Sequence, residues 1–289
     1  MATGLGQYVR WDAIPTSATP LTAFGLGATG GDHEDTAEPG ERNYAGGSAS
    51  LFGVMKNLRG RVDFDVTDDT VVTLADRNPT GYPGSALSKF TVGIADNGIL
   101  HYYNNAKVGS LSLSAEVDGV LTATLNWMAT KKTEGSPGSP TAATGSGWTW
   151  YQGVLLVAGQ AIEVQSFTST KDNGLVAKTS LDGAGSSGEK RDPVSIREGH
   201  ERVSLEVRTL EPLAAATRGN LTDDILTNLA FSAIFTRGTA TYTHTLAGLA
   251  LASASMPIEG GDGDLEFSYT FRAPANLSTA WVTTYAAGA

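Results

Sequence analysis

Two stretches of this chain are built to one plan, and that repetition constrains the fold more than any other feature. Residues 107–127 read KVGSLSLSAEVDGVLTATLNW, and residues 160–181 read QAIEVQSFTSTKDNGLVAKTSL. Each is an alternating segment, then a short polar turn ending in glycine (Asp118-Gly119, Asn173-Gly174), then a second alternating segment. Alternation with period two marks a strand with one buried face, and a polar residue followed by Gly supplies the positive φ of a tight hairpin turn. The spacing predicts two related hairpins and therefore a duplicated β module.

A second pair of segments points the same way. In 61-RVDFDV-66, Val62, Phe64 and Val66 share one face while Asp63 and Asp65 share the other; 202-RVSLEVR-208 repeats the pattern with Val203, Leu205 and Val207. Further strands are predicted at 70–74, 89–94, 99–103, 148–159, 231–237, 240–253 and 264–273. Loops fall at 78–84 and 182–193, where Pro and Gly punctuate the pattern. The best helix candidate is 222–231, with Thr222 or Asp223 as cap and Ile225, Leu226 and Leu229 at helical spacing. The fold class is all-β with one short helix.

The 289 residues suffice for two β domains or one large one. Residues 133–147, TEGSPGSPTAATGSG, read as a flexible linker between a first module at 48–132 and a second at 148–275, with a peripheral C-terminal tail at 276–289. Residues 1–47 show no sustained period and are rich in Gly, Pro, Thr and acids. They read as an extended N-terminal arm that orders against a partner, with Tyr8, Trp11 and Phe24 as its apolar anchors.

Charge and composition exclude several functions. The net charge of −10 argues against a protein that grips nucleic acid through its phosphates, although a surface past which DNA slides is compatible with it. Zero cysteines exclude disulfides and thiolate metal sites. No apolar run approaches a membrane span, and the N-terminus lacks the pattern of a signal peptide, so assembly in a cytoplasm and no membrane partner are expected.

The motif search predicts no catalytic, cofactor or metal site. Gly25-Leu-Gly-Ala-Thr-Gly30 matches GxGxxG, but its flanks make no strand–helix unit and acids follow it. Asp262, Asp264 and Glu266 lack the spacing of a calcium loop and read as a turn entering a strand. His33, His101, His200 and His244 form no ligand pair, and no GxSxG elbow occurs, although a triad assembled in space is invisible to sequence. Trp148, Trp150 and Tyr151 suit either a sugar- or base-stacking platform or a core and interface, with the second favoured.

The order of these pieces resembles the tail tube proteins of long-tailed bacteriophages. The matching stretches are 51–66, 107–121, 160–176 and 256–273. The resemblance implies a tail-tube-type β-sandwich or barrel. It implies rings stacked around a DNA channel, with the sheets lining the lumen. The two hairpins and the central linker favour two fused modules and a trimeric, pseudo-sixfold ring over a single-module hexamer. The partners implied are other copies of the chain, the tail tip or baseplate, tape measure and tail terminator proteins, with viral DNA in transit. The implied location is the virion tail. Lumen candidates are Asp63, Asp65, Glu163 and Glu206, each beside apolar neighbours that face a core; Tyr8, Trp11 and Phe24 become inter-ring anchors. The alternatives are another β-rich virion component (tail terminator, baseplate hub or decoration protein), a carbohydrate-binding sandwich using Trp148 and Trp150, and a hydrolase.

Overall fold

The computed structural model describes residues 8–17, 20, 22–24, 26–36, 40–43, 49–52, 56–76, 87–96, 99–135, 145–178, 192–214, 229–255, 266–273 and 281–288. In the first half the strands are β1 (Tyr8–Asp12), β2 (Thr22–Ala23), β3 (Leu26–Thr36), β4 (Gly40–Asn43), β5 (Ala49–Phe52), β6 (Asn57–Asp65), β7 (Phe90–Asp96), β8 (Ile99–Glu116), β9 (Thr122–Met128) and β10 (Lys131–Gly135). In the second they are β11 (Gly153–Val157), β12 (Gln160–Ala161), β13 (Val164–Asp172), β14 (Val176–Lys178), β15 (Ser195–Arg197), β16 (Arg202–Thr209), β17 (Leu229–Arg237), β18 (Ala240–Ser255), β19 (Phe267–Ala273) and β20 (Trp281–Ala286).

The strand pairings repeat. In the first half β1 pairs β2 and β7, β7 pairs β8, β8 pairs β9 and β10, β6 pairs β3 and β9, and β4 pairs β5. Adding ten to every label gives the pairings of the second half. Among the described strands one further pairing, β8 with β13, joins the halves into a 16-stranded antiparallel sheet. The irregularities repeat as well. The long strands β8 and β18 each carry a positive-φ residue, Asn105 (φ 52°) and Gly248 (φ 68°), at a bulge against the preceding strand. Each then bulges again, at Gly109 and Ala252. A bulge re-aims a strand, so each long strand passes from one set of partners to another along its length.

The core follows from the alternation. Val62, Leu111, Leu113, Leu125, Leu205 and Phe271 lie on the apolar face of β6, β8, β9, β16 and β19, and they join Phe90, Val92, Phe231 and Phe235 from β7 and β17 in one cluster. Burying a side chain of this size contributes about 1.5–3 kcal/mol. Gly60 on β6 lies where an added Cβ would run into the Trp127 ring and the Asp32 carbonyl. It leaves the indole room to lie across the strand.

Buried charge holds the β8–β13 junction. Lys171 Nζ lies 2.8 Å from Asp76 and 3.4 Å from Glu201, and Lys107 pairs with Glu198. The Glu198 carboxylate also accepts from the Leu87 N–H at 3.1 Å. Asn173 is fully buried and donates its amide to the carbonyls of Ala75 (3.3 Å) and Val108 (3.1 Å). All of these contacts except Lys171–Glu201 cross from one half to the other, and hydrogen-bonded charge of this kind fixes a junction because leaving either partner alone and buried is costly.

The structure revises several sequence expectations. The hairpin at 107–127 forms, with Asp118 (φ 64°) at its turn. The segment at 160–181 does not fold back on itself: β13 pairs β8 and β16, while β14 pairs β15. Asn173 is held by two carbonyls of the first half, so the chain leaves the sheet there although Gly174 has the expected positive φ (58°). Residues 72–75 form a 3-10 turn rather than a strand. Residues 8–12 and 26–36, expected in an unpaired arm, are strands of the main sheet. Lys131–Gly135, at the start of the expected linker, pairs β8, and Trp281–Ala286, expected in a peripheral tail, pairs β18 with Trp281 buried. Of the helix candidate 222–231, residues 222–228 lie outside the described residues and 229–231 are strand.

Candidate functional site

The strands β3, β6, β9, β8, β13, β16, β19 and β18 lie side by side in that order. One face of this band is the core. The side chains between the core residues must therefore emerge on the other face, and they are almost all polar. Ser110, Ser112 and Ser114 of β8 face Thr122, Thr124 and Asn126 of β9 and Thr168 and Thr170 of β13. The hydroxyls bond across strands: Ser112 to Thr170 at 2.9 Å, and Ser114 to Thr122 at 2.9 Å. Asn126 donates to Ser110 at 2.8 Å. A hydroxyl wall whose partners are already in place offers a mobile ligand few strong attachments.

Charges on this face are mixed. Arg59 and Arg61 come from β6, Arg202 and Arg208 from β16, and Arg272 from β19. Opposite in sign are Asp32 and Glu34 of β3, Asp63 and Asp65 of β6, Glu116 of β8, Asp172 of β13 and Glu206 of β16. Arg59 pairs with Glu34, and Arg61 Nη2 lies 2.9 Å from Asp63. Asp63 also accepts from Thr124 Oγ1 at 2.6 Å. Burial pushes the Asp65 carboxyl above its ordinary range. An open depression on this face is lined by Asp32, Glu34, Arg59, Ser110, Asn126 and Thr170.

The repeat gives each charge an equivalent. Arg59 and Ser204 hold the same place in the ladder, opposite Met128 and Arg272, which themselves pair with Lys107 and Ala250. Arg61 is then equivalent to Glu206 and Asp63 to Arg208, each a reversal of sign. The sequence resemblance between 61–66 and 202–208 aligns these strands four residues out of this register.

Three of the four lumen candidates, Asp63, Asp65 and Glu206, share this face. Glu163 does not join them in a strand: it is exposed one residue before β13, where its carbonyl accepts from the Leu210 N–H. Trp11 and Phe24 are buried in the chain's own core, with ring centroids 6.4 Å apart and Phe24 5.7 Å from Phe64, so their anchoring is spent within the subunit. Tyr8 begins β1, whose backbone pairs β7. Sequence reading missed the hydroxyl rows, although the alternation SLSLS in 110–114 and TAT in 122–124 carried the signal.

Other candidate chemistry falls away on burial. Trp148 is fully buried, its indole N–H donating to the Thr67 carbonyl at 3.2 Å and the Arg237 guanidinium lying 4.7 Å over its ring, so it has no face to offer a sugar. Leu26–Thr36 is strand where a dinucleotide fingerprint needs a loop before a helix. Ser169 Oγ and His244 Nε2 share a 2.9 Å hydrogen bond, but both residues are fully buried, out of reach of any substrate. Burial lowers the His244 pKa to about 3. Asp262 and Asp264 lie outside the described residues. No group of potential metal ligands and no helix long and apolar enough to cross a membrane occurs among the described residues.

A family model described as phage tail tube protein matches residues 13–273. The chain belongs to the phage tail tube protein family. No curated protein matches the chain. Membership makes it a structural protein of the viral tail, in a family of tube subunits rather than of enzymes. A tail tube protein built from two copies of one strand topology has a polar wall on one side of its long band and its core on the other.

Proposed function

We propose that this chain is the major tail tube subunit and that three copies close a ring whose six repeat units are related by pseudo-sixfold symmetry. Stacked rings form the conduit through which viral DNA leaves the particle. The supporting observation is the eight-strand band, which places equivalent strands from both repeats side by side with an almost wholly polar face opposite the core. Placed toward the axis, that face lines the channel. Its mixed charges and satisfied hydroxyls hold water and counterions between wall and duplex without binding phosphates tightly. The ends of the tube meet the tail tip and terminator proteins, and the tape measure protein occupies the channel before ejection.

Mass photometry and negative-stain microscopy of the purified protein, with and without tail-tip proteins as initiator, test this reading. The expected result is hollow tubes of uniform bore whose rings contain three chains. Rings of six chains, or a strict monomer at high concentration with initiator present, would overturn it.

A further inference from the structure

The two repeats fill one equivalent place with different chemistry. The ladders make His101 of β8 equivalent to His244 of β18, and His33 of β3 equivalent to Ser169 of β13. On the neighbouring strands, Glu134 and Lys132 of β10 are equivalent to Thr283 and Trp281 of β20. In the second repeat this place is sealed: Ser169, His244, Trp281 and Thr283 are all buried, and Ser169 bonds His244. In the first repeat it holds two imidazoles, His33 and His101, with ring centroids 6.0 Å apart. His101 Nδ1 lies 3.3 Å from the Glu134 carboxylate, whose side chain is 59 % exposed, so protons reach the pair from solvent.

The groups around the pair decide what a proton does there. On β10, Glu134 stands opposite His101 and Lys132 opposite Tyr103. On β8 and β9, the Tyr103 ring lies 5.8 Å from His33 and 4.7 Å from Trp127. On β7, Ile94 stands opposite His101, with Asp96 two residues along and Val9 of β1 on its other side. On β6, Gly60 stands opposite His33, between Arg59 and Arg61. Along β3, Asp32 and Glu34 flank His33 on the polar face, where Glu34 pairs with Arg59, and Asp35 follows two residues on. Glu134 offsets one imidazolium, but across water and therefore weakly. A second proton meets the first imidazolium at close range, with Lys132 on the adjoining strand.

We infer that His33 and His101 form a clasp between β3 and the β8–β10 pair, closed at neutral pH and released by acid, which makes the first repeat the acid-sensitive one. Below an ordinary histidine value of about 6.5 both rings take up protons, and like charges across the clasp push β3 and β10 apart. The second repeat lacks the device. Ser169 carries no charge, and His244 refuses its proton in the fold until about pH 3. The clasp is a property of one chain and stands apart from the ring reading.

Hydrogen exchange of the free subunit at pH 7 and pH 5, corrected for the intrinsic pH dependence of amide exchange, tests it. Acid lowers global stability and so speeds exchange throughout; the clasp adds a local excess. Peptides covering 26–36 and 131–135 are expected to gain at least about tenfold more than the equivalent peptides covering 164–172 and 281–286. His33→Ser installs the residue that the second repeat already carries at this place and is expected to abolish the excess. His101→Gln removes the other ring and is expected to do the same. No excess in the natural chain would overturn the clasp. An excess that survives in both variants would assign the opening to other groups, and one lost in a single variant would assign it to one ring acting alone; either result would overturn the paired device.

Discussion

His244 gives the subunit a pH-dependent stability that can be worked from its surroundings. The ring is fully buried, packed at 4.5 Å from Trp281 and 6.3 Å from Phe231 and hydrogen-bonded to Ser169. Its pKa falls from an ordinary 6.5 to about 3, chiefly because burial disfavours the imidazolium. The unfolded chain therefore binds a proton that the folded chain refuses. The sign follows: the contribution is intact above pH 6.5 and is lost as pH falls from there toward 3. At 1.36 kcal/mol per pH unit, the loss between pH 7 and pH 5 is about 2 kcal/mol. Urea unfolding of the free subunit at both pH values, for the natural chain and for His244→Gln, isolates this contribution because all other groups are common to the two. The variant is less stable at pH 7 but is expected to lose about 2 kcal/mol less on acidification. Equal losses in both proteins would show that His244 takes up its proton as readily in the fold as in the unfolded chain, and the reasoning would be wrong.

Four other perturbations test separate parts of the structure. Asn173→Ala leaves two buried carbonyls without their donor and is expected to lower stability by about 2–3 kcal/mol, read as a lower urea midpoint. Lys171→Met removes the cation between Asp76 and Glu201; a loss of about 2 kcal/mol is expected, below the 3–5 of a fully buried pair because Asp76 keeps partial access to water. Gly60→Ala drives a methyl into Trp127, so a loss of about 1–3 kcal/mol and a shifted tryptophan emission spectrum are expected. Virions carrying Asp63→Lys and Glu206→Lys are expected to assemble but eject DNA more slowly at low salt, with the difference fading as salt rises; normal ejection at low ionic strength would remove these residues from the channel wall.

Local patterns in the sequence carried the strands they belong to and little beyond them. The 107–127 hairpin was legible because both of its strands alternate and Asp118 tolerates a left-handed backbone. The run GGDHEDT in β3 was illegible as strand, since Gly and Asp disfavour it; β6 supplies the ladder that holds it extended. Trp281 looked peripheral because its partner strand lies about forty residues earlier, and pairing at that separation leaves no local mark. Duplication was visible in the alternating segments, but its true register was not. The repeats conserve bulges and partners while exchanging residue types: Gly60 stands where Leu205 does, and Asn105 where Gly248 does. At the candidate site the polar face could be read from alternation, whereas its sign pattern required knowing which strands are neighbours.

The sign reversals between the repeats have an electrical consequence in the proposed ring. Six identical units would set six equal charges at each level of the channel, and their fields would add along its length. Two unlike units instead alternate Arg61 with Glu206 and Asp63 with Arg208 around the circumference. The field of an alternating ring decays toward the axis over a distance set by the spacing of its charges, and mobile ions shorten that further. At the centre the fields of each alternating set nearly cancel. A duplex moving along the axis then meets little variation in potential from one ring to the next, and so few places to pause. Fusing two copies of one unit allows this cancellation, because each copy can take up the charge its neighbour lacks.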